Sequence, residues 1–205
     1  LLAVIEGFAA PLQGQFVGCA ISMPGRIDTR NGIAHTGGML STFMWEQPFA
    51  AQVEARLGVP VTIANDGKCA AAAEGWTGAL AGVENGLVLV LGTGIGGGII
   101  AANHLVRGGR ALSAGELGHI CVELNGRQCN CGLKGCYEAY AGGRALAQRM
   151  QEELRNKPDS MIMQLVDGNV GAIDMVPLEK AVRAGDAYAC ALWDEMSPVS
   201  YTHLR

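Results

Sequence analysis

The sequence predicts an α/β protein whose sheets are covered by helices, because strand-like and helix-like segments alternate along the chain. Short apolar runs rich in β-formers stand at 15–22, 59–65 and 86–93. Between and after them lie stretches with helical spacing, among them an alanine-rich run that begins near Asp66. The 30 glycines, about twice the ordinary share, gather in clusters without a collagen-like period. Clustered glycine marks backbone that turns sharply or lets a ligand approach closely.

Each element has its own signal. "LLAVIEGFAAPLQGQ" looks like the end of a helix, and with no initiator Met a start within a domain is expected. "QFVGCAIS" (15–22) is a strand closed by the turn "MPG". "WEQPFAAQVEARLG" takes up helical spacing after Pro48 and stops at Gly58. "VPVTIAN" (59–65) is too hydrophobic for an exposed edge and reads as a central strand. A helix from Asp66 follows, then "GLVLVLGT" (86–93) as a buried strand, a glycine loop, and the β-branched "IIAANHLV". Helices from Glu138 to Arg155 and from Pro177 to Met196 are expected next. "SPVSYTHLR" continues no periodic pattern, so 197–205 is expected to be a non-native tail.

Composition narrows the function classes. With 49% hydrophobic and 17% charged residues, the chain reads as a soluble globular protein of one large domain or two lobes. A net charge of −4 gives no reason to expect nucleic acid or an anionic membrane as partner. No apolar run reaches the roughly 20 residues that span a bilayer. The N-terminus lacks the basic region and small-residue cleavage site of a signal peptide. Seven cysteines, an odd number in a chain of this length, argue against a secreted disulfide scaffold and for a reducing, cytoplasmic compartment. Cys19, Cys69 and Cys190 lie in apolar surroundings and read as small buried hydrophobes.

The other cysteines crowd around "CNCGLKGCYE" (129–138). Cys129 and Cys131 are too close in sequence for an unstrained disulfide, but in a glycine-containing turn their thiolates can face one ion. Cys136 supplies a third sulfur, and His119 in "GELGHICVEL", delivered by a strand, completes a tetrahedral Cys3His set of the kind zinc prefers. Cys121, on the same face of that strand, is a substitute ligand that reads as core. The alternative is a glycine turn with buried or reactive cysteines.

"LGTGIGGGI" contains Gly92-x-Gly94-x-x-Gly97, formally a dinucleotide fingerprint. That fingerprint needs a helix after the glycines, whereas the continuation here is strand-like. No Gly-Lys-Ser/Thr follows, so this is no Walker loop either. A glycine turn with Thr93 at its tip can still offer backbone N–H groups to phosphate oxygens. A tight hairpin without a ligand is the alternative.

Taken in order, "PGRID" (24–28), "IANDGKCAAAAEGW" (63–76), "LGTGIGGGII" (91–100), "GELGH" (115–119) and "CNCGLKGCYEAYAGG" (129–143) resemble the ROK family of repressors, open reading frames and sugar kinases. The resemblance covers most of residues 15–150, and its histidine, three-cysteine and glutamate pattern is highly specific. It implies an actin-like ATPase fold with two lobes around a cleft, here without its first phosphate loop and its last adenosine-contacting segment. Residues 1–65 would be the rest of the N-terminal lobe, and 66–196 part of the C-terminal lobe.

By the same resemblance, Asp66 is the catalytic base and Asn65 its sugar-contacting neighbour. Glu116, His119 and Glu138 would hydrogen-bond sugar hydroxyls, with Gly25 and Arg26 lining the pocket. Thr93, Gly94, Gly96 and Gly97 belong to the second phosphate loop, and His119, Cys129, Cys131 and Cys136 are the zinc ligands. The implied partners are a sugar, ATP with Mg²⁺, a structural Zn²⁺ and a second copy in a homodimer. A carboxylate at a strand end can take a proton from an attacking hydroxyl, although Asp is also favoured as a helix N-cap. "HTGGMLSTFMW" stands where many members have Asn-Leu before a tryptophan, so one sugar-contacting asparagine has no match. The reading is an ATP-dependent kinase acting at the 6-hydroxyl of glucose or an N-acetylhexosamine. Its rival is a zinc-containing, sugar-responsive repressor of the same family, the one case in which nucleic acid becomes a partner.

Overall fold

The structure, a computed structural model, describes residues 1–12, 14–35, 46–109 and 112–202, the side chains of 197–202 excepted. In chain order the elements are α1 (Leu2–Ala9), β1 (Cys19–Met23), β2 (Arg26–Asp28), β3 (Ile33–His35), α2 (Phe49–Leu57), β4 (Val61–Asn65) and α3 (Asp66–Thr77). Then come β5 (Gly86–Leu91), β6 (Ile95–Ala101), β7 (His104–Leu105), α4 (Glu138–Ala141), α5 (Gly143–Leu154), α6 (Met161–Leu165), α7 (Met175–Arg183) and α8 (Ala187–Thr202). The chain forms two compact units, Leu1–Val88 with Gly97–Gly115 and Leu89–Gly96 with Glu116–Arg205. It passes from one to the other inside β5, back inside β6, and across a third time between Gly115 and Glu116.

In the first unit β1 and β4 run parallel, with Met23 beside Asn65, so both strands end at the start of α3. The hairpin β2–β3 sets Arg26 opposite His35. Met23, Ile27, Ala34, Phe49, Val53 and Ile63 close over one another as the core. Helix α2 contributes Phe49, Ala50 and Val53. It ends where the sequence places its stop: Gly58 adopts φ 68°, a left-handed C-cap that glycine enters without steric cost.

In the second unit α5 to α8 enclose a larger apolar cluster that includes Leu146, Met150, Leu154, Ile162, Leu178 and Leu192. Two expected helices are broken. The segment 138–155 splits at Gly142, which is extended (φ −74°, ψ 134°) and separates the short α4 from α5. The segment 177–196 splits between α7 and α8, where Gly185 takes φ 78° and the Asp186 carboxylate accepts from the Ala189 N–H at 2.8 Å. Helix α8 continues to Thr202.

The strand–turn–strand reading of the glycine region holds, as β5, β6 and β7 form one sheet in that order. Strand β5 is not the buried strand expected, for Leu87 is 48% and Leu91 54% exposed. Among the described residues it is an edge, paired only with β6; Leu89 packs against the buried Ile95, Tyr137 and Ala141, while Leu87, Val90 and Leu91 are exposed. The segment 36–45, where the missing asparagine falls, lies outside the described residues. No helix among them is long and apolar enough to cross a membrane.

Candidate functional site

Helix α3 begins directly at the end of β4, so the backbone turns over one residue. Asn65 makes the turn: its side-chain oxygen accepts from the Lys68 N–H at 3.0 Å and caps the helix. Its amide nitrogen donates to the Gly25 carbonyl and to Asp66 Oδ1, both at 3.0 Å. Asp66 is thereby relieved of the cap. Its Oδ1 also accepts from the Gly67 N–H at 2.9 Å, and among the described residues no hydrogen bond reaches Oδ2. The side chain is exposed, at the positive end of a 12-residue helix. Gly67 is required here, since a Cβ would come within 2.6 Å of the Gly97 nitrogen. Arg26 is exposed on β2. Lys68, which the sequence reading passed over, is buried and donates to the carbonyls of Arg107 at 3.0 Å and Leu112 at 2.8 Å. A lysine in an alanine-rich helix normally reads as a solvated charge, so nothing local announces it.

In the second unit, the turn at 92–94 closes with the Gly92 N–H donating to the Gly94 carbonyl at 2.9 Å. The Gly92 and Thr93 carbonyls each accept at 2.9 Å, from the N–H groups of Gly143 and Arg144 at the start of α5. In a trans peptide the C=O and N–H point in opposite directions. The N–H groups of Thr93 and Gly94, in those same two peptide planes, therefore face away from α5. Two adjacent outward amides with glycine side-chain room around them are the kind of backbone surface that can receive an anion. The Glu138 carboxylate accepts from the Ile95 N–H at 2.7 Å, and a Cβ on Gly94 would collide with it. Glu116 is half-buried, immediately before the turn that carries His119.

That turn is one turn of 3-10 helix, Leu117–His119, and not the strand expected. Gly118 sits hard against the Ile95 carbonyl, where any side chain would clash, and the tight turn brings the chain past it. One donor atom from each of His119, Cys129, Cys131 and Cys136 lies within 4.8 Å of the other three. The Cys131 and Cys136 sulfurs are 3.6 Å apart, and Cys129 Sγ is 3.7 Å from His119 Nδ1. A tetrahedron with metal–sulfur bonds of about 2.3 Å has edges of about 3.8 Å. The donor set fits a tetrahedral soft cation in both chemistry and spacing.

Its electrostatics agree. Burial raises the Cys129 thiol and, with the neighbouring thiols, pushes Cys136 up to about 12. Burial works against ionising Cys131 too, but the Leu133 N–H and the two other thiols outweigh it and hold that pKa down. Three such thiols resist ionising together, and a divalent cation reverses the balance by stabilising thiolates. The loop itself is shaped by hydrogen bonds. Cys129 N–H donates to the Leu133 carbonyl at 2.8 Å, Gly135 N–H to the Arg127 carbonyl at 2.8 Å, and Arg127 N–H to the Tyr140 hydroxyl at 2.7 Å. Cys121 is not the core residue expected. It is exposed and stands outside the four-donor group, because this loop has little apolar interior to receive it.

These arrangements follow the order of the motifs in the sequence, and a model of the ROK family matches residues 1–192. The chain belongs to the ROK family. It is 34% identical over 197 residues to the glucokinase of Thermotoga maritima, an alignment covering 96% of this chain and 59% of that protein. It is 35% identical over 136 residues to the xylose repressor of Bacillus subtilis, covering 66% of this chain and 34% of the repressor. Among solved structures, a ROK family glucokinase from Streptomyces griseus in complex with glucose and AMPPNP superposes with a TM-score of 0.79 at 32% identity. That match covers 97% of this chain and 64% of the glucokinase. The fold of this ROK chain is the actin-like ATPase fold of those sugar kinases.

Proposed function

We propose that this ROK chain phosphorylates a sugar with ATP, at the 6-hydroxyl of glucose or of an N-acetylated hexosamine. The observation that carries the reading is the division of labour at the start of α3. Asn65 caps the helix, and the second carboxylate oxygen of the exposed Asp66 has no hydrogen-bond partner among the described residues. The cap accounts for Asn65, and the uncommitted oxygen of Asp66 is what a general base requires. As the sugar oxygen attacks the γ-phosphorus, its proton passes to Asp66.

Phosphoryl transfer needs positioning and charge stabilisation more than covalent chemistry. The outward amides of Thr93 and Gly94, in the loop that runs on through Gly96 and Gly97, would receive phosphate oxygens. Mg²⁺ accompanying ATP would neutralise charge on those oxygens. The residues proposed to contact the sugar are Asn65, Gly25 and Arg26 of the first unit and Glu116, Glu138 and the Nε2 of His119 of the second. His119 Nδ1, with Cys129, Cys131 and Cys136, would hold Zn²⁺, which supplies order and no bond-making step. The glucokinase relatives support this reading.

The match to a xylose repressor favours a second reading, a sugar-sensing regulator that binds the same ligands without turnover. Assaying ATP with glucose, N-acetylglucosamine and N-acetylmannosamine separates the two. The kinase reading expects turnover with at least one sugar, and Asp66→Asn to lower kcat by about 10²–10⁴-fold while sugar affinity holds. Sugar binding without phosphorylation would establish the regulator instead, and unchanged turnover in Asp66→Asn would remove Asp66 from its role.

A further inference from the structure

The hydrogen bond between Glu138 and the glycine loop joins two functions that the motifs keep apart. Glu138 is the second residue after Cys136, and the backbone on either side of it is pinned. Tyr137 N–H donates to the Ile120 carbonyl at 2.9 Å, one residue past His119, and Ala139 N–H to the Cys136 carbonyl at 2.9 Å. The carboxylate is thus carried on the frame of the four-donor cluster. Its Oε2 takes the Ile95 N–H at 2.7 Å, a short, charge-assisted bond to the first residue of β6. The same corner of the chain supplies the N–H groups of Gly143 and Arg144 to the carbonyls of Gly92 and Thr93. Gly92, Thr93 and Ile95 are held by these three tethers, and the one from Glu138 is made by a side chain.

We infer that Glu138 is a positioning residue for the phosphate loop, using one carboxylate oxygen to fix the Ile95 amide while the other stays available to a sugar hydroxyl. This rests on the reading of 93–97 as a phosphate loop. Two consequences follow. Loss of the metal loosens the nucleotide side of the site as well as the sugar side. A sugar seated on the free oxygen restrains Glu138 further, so that sugar binding favours nucleotide binding by linkage.

The test separates hydrogen-bond acceptance from charge. Glu138→Gln keeps an acceptor for the Ile95 N–H, and Glu138→Ala removes it. Amide exchange followed by NMR on the metal-loaded chain should show Ile95 protected in the wild type and in Glu138→Gln. In Glu138→Ala its exchange should be faster by about 10–100-fold, with the amides of α7 and α8 unchanged as a control for folding. Chelation of the wild type should speed the same amide. AMPPNP affinity should fall in Glu138→Ala and hold in Glu138→Gln, while both variants lose sugar affinity. Equal Ile95 exchange in wild type and Glu138→Ala overturns the tether alone. A wild type with Ile95 protected by Glu138 that binds no AMPPNP overturns the phosphate-loop reading, and the inference falls with it.

Discussion

The loop from His119 to Cys136 and the helices α5 to α8 belong to the same compact unit, yet they are held by different physics. The helices bury nine apolar residues against one another and against Ile173 of the connection before α7, several of them completely. The loop shares only a small cluster, Cys129, Cys136, Ala139 and Tyr140, and two of those four are expected ligands. Burial is non-directional and tolerates substitution in proportion to the volume removed. A four-donor cluster is directional and fails when one donor is lost. Between the two regions runs a polar seam. Arg127, in the loop, donates to Glu195 on α8 at 2.9 Å, and Arg149 on α5 donates to Glu195 and to Glu153, each at 2.7 Å.

The largest effect is expected in the loop. Cys136→Ser should lower metal content from about one ion per chain to near zero, measured by elemental analysis. Circular dichroism of the helices should change little, because α5 to α8 do not depend on the ion. If the helices melt with the loop, the contrast between the two regions is wrong. Met150→Ala should do the reverse. It empties a fully buried position and should cost about 2–5 kcal/mol of unfolding free energy, read by denaturant titration, while the metal content of the folded fraction stays the same.

The seam should matter least. The Arg149 guanidinium beside Glu195 holds that carboxyl below the ordinary range against the opposing effect of burial. A depressed carboxyl stabilises the fold above its unfolded pKa, about 4.3, and the contribution disappears as pH falls through the lower folded value. Glu195 is substantially exposed, so the seam is worth about 1 kcal/mol or less and weakens with salt. The difference in melting temperature between wild type and Glu195→Gln should be measurable at pH 7 and low salt, and should shrink as the solution is acidified below the ordinary carboxylate range. A difference that does not change with pH would mean that Glu195 acts through packing.

Much of the fold was legible because its signals are local. The cap at Asn65–Asp66, the stop at Gly58 and the strand–turn–strand at 92–95 depend on residues within a few positions of one another. The misreadings arose where chemistry at a distance overrode a local pattern. Apolar periodicity runs through Gly142 and Gly185, but the chain bends there to bring α4 and α5, and α7 and α8, into register with different neighbours. His119 reads as strand from its β-branched surroundings, yet the crowded approach of Gly118 to Ile95 demands a tight turn. Lys68 looks solvated until loop carbonyls about 40 residues away are brought over its ammonium group.

The order of amino acids alone determined the donor set at 119–136 and the start of α3 at Asp66, since ligand type, thiol spacing and helix capping are properties of short segments. Only the tertiary structure decided that Glu138 grips Ile95, 43 residues earlier in the chain. No periodicity records which distant amide a carboxylate will meet. That depends on which backbone groups the packed strands and helices leave without partners, and a buried N–H left without one costs enough to select the pairing.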